Sequence, residues 1–513
     1  MQQQSRTAGD VVAPTRADPL ARAASTWLGG PLGRFARTGW SWWTPLRVIL
    51  VVATLTFGLG IVQKSPCVVT DWNDAAQPLP FSHMCYSDIS YLYVGRGLAE
   101  GVVPFTPVES LPDAKQPRTP DEEHTYSIEY PVLTGAWMGV TGALTHLIGK
   151  SPDLAEVRND QVGGNKDVQY DGALFWGVNA VGFFLLLLIA VSLLVYAQRR
   201  RPWDAMFLAA SPCLALTAMI NWDLMVVAAV AAFFWAWSTR RPVLAGIFIG
   251  LGAAIKLFPL FFLGPLLILC LRERRMAAWV ATGAGALGAW LVVNLPVFYW
   301  SPDEYLWFWQ FNSDRGPDFG SVWLVLSNYG HTATSHVINM TTGIFFVACC
   351  LAIGLLGLLA PRRPRLVQLC FLVVVAFLVV NKVYSPQYVL WLLPLAVLAR
   401  PRWRDQVVWQ ACEIFYFFAV WMHIANFFRP AGAEDWVYGL AVVVRIIGEL
   451  YLVVLVVRDI LEPWHDPVRS DGRSDDPLGG VLDNGVDALP DSGGPDPPAG
   501  PQAGEQRGAA AVA

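Results

Sequence analysis

Val178–Val195, VNAVGFFLLLLIAVSLLV, runs for 18 residues without a charge. A second stretch, Leu366–Val380 (LVQLCFLVVVAFLVV), reads the same way. About 20 such residues, rising ~1.5 Å each as a helix, match the hydrocarbon thickness of a bilayer. Repeated runs that are apolar on every face need a lipid solvent. The rest of the chain agrees. It is 54% hydrophobic and only 15% charged over 513 residues, where a soluble domain carries about 25% charge. The clearest apolar segments lie near 46–63, 172–196, 203–220, 222–238, 242–256, 258–271, 277–299, 337–360, 366–381, 388–400, 407–427 and 437–457. The expected fold class is an all-α polytopic membrane protein with about 12 transmembrane helices.

Lys and Arg collect on the cytoplasmic side of a membrane protein. Here they gather in the N-terminal tail and in Arg199–Arg201, Arg240-Arg241, Arg272–Arg275, Arg362–Arg365, Arg400–Arg404 and Arg458. Between Arg199–Arg201 and Arg458, two apolar segments separate each cluster from the next, so all the clusters share one side and both termini lie inside. Residues 1–45 are basic, and residues 458–513 are rich in Asp, Pro and Gly. Neither tail has the apolar surface to fold alone, so both are expected to be disordered and cytoplasmic. They flank a transmembrane unit over 46–457. A multi-pass plasma-membrane location follows, with the lipid bilayer as a partner and no nucleic-acid partner.

Pro131–Gly149 is long enough to span, but counting it would place Arg199–Arg201 outside. The loop after it carries Asp153, Glu156, Asp160, Asp167 and Asp171 against Arg158 and Lys166. The segment is therefore expected to lie along the outer interface or to re-enter, which makes 64–171 one large external loop carrying interfacial helices. A thirteenth span is the alternative. Cys67 and Cys85 sit in this loop; an oxidising compartment would join them as a disulfide, and otherwise they are unpaired thiols. No Cys/His spacing reads as a zinc site.

With this topology the polar residues that interrupt apolar runs fall at the outer ends. They include Asp88, Glu129-Tyr130-Pro131, Asn221-Trp222-Asp223, Lys256, the loop 300–336 with His331, and Asn381–Tyr388. A carboxylate such as Asp88, kept near lipid among aromatic and hydroxyl residues, is costly unless it works or caps a helix. It suits a general base. Tyr91 and Arg96 follow on the next turns, placed to meet sugar or phosphate. Lys256 and Lys382 can meet a lipid phosphate as point charges or simply snorkel. Gln387 and Tyr388 offer neutral donors beside Pro386, and His331 a phosphate donor or a solvated loop side chain. Asp223 serves the site or caps the helix after it. Arg445 and Glu449, four apart, are expected to pair within one helix.

Asp88 with Tyr91 and Gly95–Gly101 (GRGLAEG), Glu129–Leu133 (EYPVL), Asn221–Asp223, Gly250–Pro259 (GLGAAIKLFP) and Ser385–Tyr388 leading into Trp391–Pro394 form an ordered set. This set resembles glycosyltransferase family 87 of the GT-C superfamily, an actinobacterial α-mannosyltransferase group. The resemblance implies a GT-C-like fold and an inverting transfer of mannose from a polyprenyl-phosphate donor to a glycolipid or glycan hydroxyl on the outer face. Asp88 would be the base, with Lys256, Lys382 and His331 as phosphate candidates. Lipid monophosphate would leave, so neither metal nor cofactor is expected. Val132 stands where the family usually has a second proline. The alternatives are a transporter or lipid flippase, a non-catalytic scaffold, and a transferase of arabinose or glucose.

Overall fold

The computed structural model describes residues 18–21, 23, 43–68, 79–117, 122–198, 200–428, 436–470 and 475–483. Among them every regular element is helical. The helices are α1 (Pro45–Lys64), α2 (Asp88–Gly95), α3 (Val132–Ile148), α4 (Lys166–Ala197), α5 (Pro212–Thr217), α6 (Asp223–Ser238), α7 (Pro242–Ile255) and α8 (Leu263–Arg272). They continue with α9 (Met276–Trp300), α10 (Pro302–Asp314), α11 (Val322–Asn328), α12 (Ser335–Leu359), α13 (Leu366–Val380), α14 (Val389–Ala399), α15 (Trp403–Ile424) and α16 (Trp436–Leu461).

The apolar pattern sorts these helices into an interior and a shell. α6, α13 and α14 are apolar on every face and almost wholly buried. Around them stand α1, α4, α9, α12, α15 and α16, each long and apolar enough to cross a bilayer. Their outer faces expose Leu55, Val292, Ile344 and Leu359, the last at 77%. So much exposed aliphatic surface needs lipid as its solvent. The chain is an all-α polytopic membrane protein.

Close approach holds the bundle where bulk would prevent it. A Cβ on Gly246 would stand 2.0 Å from the Thr282 carbonyl oxygen, and one on Gly250 would stand 2.2 Å from that of Ala286. Small residues let α7 and α9 touch backbone to backbone, as lipid-embedded helices require.

The segment near 203–220 departs from the single span expected there. It breaks into a 3₁₀ turn over Pro202–Ala205, a single turn over Met206–Ala209, and α5, with turns after it up to Asp223. Pro212 cannot donate a backbone hydrogen bond, and Ser211 caps the restart by accepting from Leu214 N at 3.3 Å. The break leaves the Met219 and Ile220 carbonyls available to Ser87 and Asp88 in the long loop after α1.

α3 is a well-formed helix of 17 residues. Thr134 near its start donates to the Ile255 carbonyl at 3.1 Å, and His146 near its end meets the Leu98 carbonyl at 2.7 Å. Trp137 donates to Asn179 on α4 at 2.9 Å. α4 has 32 residues and is ~48 Å long, more than the ~30 Å of a hydrocarbon core, and its first half packs against α3.

The basic clusters lie at the helix ends remote from Lys256 and Asn381: Arg241 opens α7, Arg365 opens α13, and Arg402 precedes α15. The acidic C-terminal segment departs here from the disorder expected of it. Arg365, 2% exposed, donates to both Asp466 carboxylate oxygens at 2.8 and 3.0 Å. Arg240 reaches the Asp483 carbonyl at 3.2 Å. Asp466 thus folds back as the counter-charge of Arg365, whose other acceptors are the neutral Leu398 and Ala399 carbonyls. Residues 1–17 and those beyond 483, as well as Arg199, lie outside the described residues.

Candidate active site

A cavity of about 880 Å³ opens at the end of the bundle opposite the basic clusters. Asp88 stands in its wall as the first residue of α2. Two contacts pin it to the broken segment: Asp88 N donates to the Ile220 carbonyl at 2.7 Å, and Ser87 Oγ to that of Met219 at 2.7 Å. The loop is tied down again by the Cys67–Cys85 disulfide, which joins it to the end of α1. The carboxylate is held by phenols. Tyr130 Oη donates to Oδ2 at 2.9 Å, and Tyr86 donates as well. Burial pushes the Asp88 carboxyl above the ordinary carboxylate range, while the two phenols and the Lys256 charge pull it back.

Lys256 lies just past α7, in extended backbone, with Pro259 following in the next 3₁₀ turn. Its Nζ is 3.4 Å from Asp223 Oδ1 and 4.6 Å from the centre of the Tyr130 ring. Tyr388 and Trp391 flank it at 5.9 Å each. Aromatic faces stabilise the ammonium without neutralising it. Asp223 is buried behind Lys256 and does not reach the cavity wall.

A second cationic pole forms where two loops pair. Asp318 N donates to the Lys382 carbonyl at 2.8 Å, and Tyr384 N to that of Phe319 at 3.1 Å. This brings Arg315 and Lys382 together in the wall. Lys382 donates to the Ser313 carbonyl at 2.8 Å, and Arg315 pairs with Asp318. Burial, then the neighbouring Arg315, lowers the Lys382 ammonium below its ordinary value.

Behind this pair of loops, Arg445 donates to Glu413 at 2.9 Å and to the Tyr384 carbonyl at 2.6 Å. Glu449 is 3.9 Å from Arg445 and accepts from the Tyr384 hydroxyl. The expected intrahelical pair is therefore secondary. Arg445 bridges α16 to α15 and to the 384–385 backbone, because that carbonyl and Glu413 are the nearer acceptors.

Tyr91, Glu129, Tyr130, Gln387 and Tyr388 line the cavity, as do Asp88, Lys256 and Lys382. Arg96 does not. It pairs with Glu129 and donates to the His124 and Thr125 carbonyls at 3.2 and 3.1 Å, which closes the loop between α1 and α4 on itself. His331 also lies apart: it is exposed on the turn after α11 and absent from the wall. Arg315, Asp318, Tyr86 and Trp421 line the cavity and were not singled out by sequence. For Arg315 a signal existed, since it is the only Lys or Arg between Met276 and Pro361. Among the described residues, no group of three His, Cys, Asp or Glu side chains could hold a metal ion.

A buried carboxyl group, a cationic pole and an apolar flank formed by Phe261, Phe346 and Phe377 thus meet in one cavity. The family model of glycosyltransferase family 87 matches residues 167–381, from the start of α4 to the end of α13. No curated protein matches the chain.

Proposed function

From the family 87 match over residues 167–381, we infer that the protein is an integral-membrane glycosyltransferase that uses a polyprenyl-phosphate sugar, with mannose the first candidate. The single observation that carries this reading is Asp88 in one cavity with Lys256, Arg315 and Lys382. The match itself includes Lys256 and Arg315 but neither Asp88 nor Lys382, so the role of the base rests on geometry.

The step is a single displacement. The acceptor hydroxyl oxygen bonds to the anomeric carbon while its proton passes to Asp88. The bond from that carbon to the phosphate oxygen breaks, and the electron pair leaves with the lipid phosphate. Configuration inverts. Lys256, Arg315 and Lys382 stabilise the negative charge left on the phosphate, in a cavity where charge is worth more than in water. Phe261, Phe346 and Phe377 offer an apolar path for the isoprenoid chain toward lipid. The acceptor is a glycolipid or glycan hydroxyl at the outer face, which the cavity's position opposite the basic clusters supports.

A transporter or flippase has less support, because the polar groups collect at one end of the helices and not near their middles. The test is transfer by the purified protein from polyprenyl-phosphate mannose, glucose and arabinose. The mannosyl donor should turn over, and Asp88→Asn should lower its rate by about 10²–10⁴-fold with folding unchanged. Wild-type turnover in that variant would remove Asp88 from the mechanism. Inactivity of the wild type with all three donors would remove the transferase.

A further inference from the structure

Asp88 sits between two walls of different chemistry. Tyr130, which holds Oδ2, belongs to the wall that carries Lys256 and packs edge-on to Trp222 with ring centres 5.4 Å apart. Tyr86, which also holds the carboxylate, belongs to another. It stacks on Phe81 at 5.6 Å and lies 5.4 Å from Trp421, while Phe81 and Trp421 are 6.1 Å apart. These rings pack with Phe319 and Ile220, in a cluster separate from the Phe258 and Trp391 side of the cavity.

The cations lining the cavity are Lys256, Arg315 and Lys382, and none belongs to the aromatic wall. Lys64 lies 6.0 Å from the Trp421 ring but does not reach the cavity, its Nζ donating to the Met84 carbonyl at 3.1 Å. None of the rings of Phe81, Tyr86 and Trp421 carries a cation for a phosphate, and the cation that borders them, Arg315, is already paired with Asp318 beside Phe319. An apolar aromatic lining beside a carboxylate instead matches the chemistry of a hexose: ring carbon to meet its C–H groups, and a carboxylate to deprotonate one of its hydroxyls. In-line displacement also needs the acceptor away from the leaving phosphate, on another side of the transferred sugar.

We propose that Phe81, Tyr86 and Trp421 form the acceptor subsite, which takes a neutral hexose at the end of a glycan or glycolipid and presents its hydroxyl to Asp88. This rests on the transferase reading. The subsite decides which acceptors are used, while the cationic wall takes the donor.

The experiment uses the full chain in lipid nanodiscs, with octyl mannoside, octyl glucoside and octyl galactoside as soluble acceptors. Calorimetric titration should show saturable binding of at least one of them, retained by Asp88→Asn, in which the chemistry is silenced. Phe81→Ala and Trp421→Leu should each weaken that binding by about 10-fold. In turnover, Phe81→Ala should raise the acceptor KM by a similar factor while the donor KM moves less than about twofold. Phe81 is only half-buried, so its variant remains informative if Trp421→Leu does not fold. No binding of any octyl glycoside to the wild type, unchanged acceptor KM in Phe81→Ala, or a raised donor KM in its place would each overturn the subsite. Binding that depends on Phe81 in a protein inactive with every donor would leave a hexose-binding site but remove the transferase reading, and the acceptor role with it.

Discussion

Asp88 is pulled in two directions by its surroundings. Burial favours its neutral form, and the phenols of Tyr86 and Tyr130 with the charge of Lys256 favour the carboxylate. The net shift is upward, so a base that must be ionised loses activity as pH falls through a value above the ordinary ~3.9 of an aspartate. Removing a donor that stabilises the charged form moves that value higher still. Tyr130→Phe should therefore shift the acid limb of the kcat profile to higher pH, and a limb that stayed put or moved down would show that Tyr130 does not tune Asp88. Asp88 was legible in sequence because a charge beside lipid is costly and so conspicuous. Arg315 was not, although it is the one Lys or Arg in a long stretch. With Asp318 three residues on, it reads as a solvated surface pair, and only the pairing of two distant loops brings it to Lys382.

The elements that carry the cations are held by backbone contacts that no motif announces. Gly320 has a φ of +81°, and a Cβ there would stand 1.9 Å from the Tyr384 carbonyl oxygen. Its N–H donates to the Tyr438 hydroxyl at 2.8 Å. The loop over Arg315–Ser321 can lie against Lys382–Ser385 only because this residue has no side chain. Gly320→Ala should part the two loops. The expected outcome is a donor KM raised by an order of magnitude or more, about 1.4 kcal/mol per tenfold, with the acceptor KM little changed. Normal donor KM in that variant would mean that the loop pairing does not position Arg315 and Lys382. At this scale the sequence marked most of the apolar helices within a few residues, six of which are long enough to span, and missed the break at Ser211-Pro212, where apolar composition hides a change of direction.

Topology is a property of the whole chain. α3 attaches by Thr134 to the end of α7 and by His146 to Leu98, and the backbone N–H groups of Lys150 and Ser151 donate to Asp171 at 2.7 and 2.8 Å. These contacts keep both ends of α3 near the cavity side. A cysteine placed at Ser151 should react with an impermeant thiol reagent from outside intact cells; labelling that required permeabilisation would make residues 132–148 a span. At the other end, the acidic segment neutralises Arg365 and so locks α13 to the end of α16. A chain ended at Leu461 should lose about 3–5 kcal/mol of stability in thermal or denaturant unfolding, because it leaves that arginine buried and unpaired. A chain ended at Asp483 keeps the Asp466 contacts and should unfold like the full protein. Equal stability of the two would make the acidic segment incidental.

Apolar runs and the placement of arginines determined, without any structure, that this chain is a helical membrane protein, which end of the bundle is basic, and that Asp88 belongs near the other. These are properties of solvation, set by each segment against lipid or water. The tertiary structure alone decided which polar residues share the cavity, assembling Asp88, Lys256, Arg315 and Lys382 from segments far apart in the chain and leaving His331 and Arg96 outside. That outcome depends on broken helices, a glycine that admits a carbonyl, and carbonyls freed to accept from distant loops. Such contacts carry no periodicity for a sequence to display.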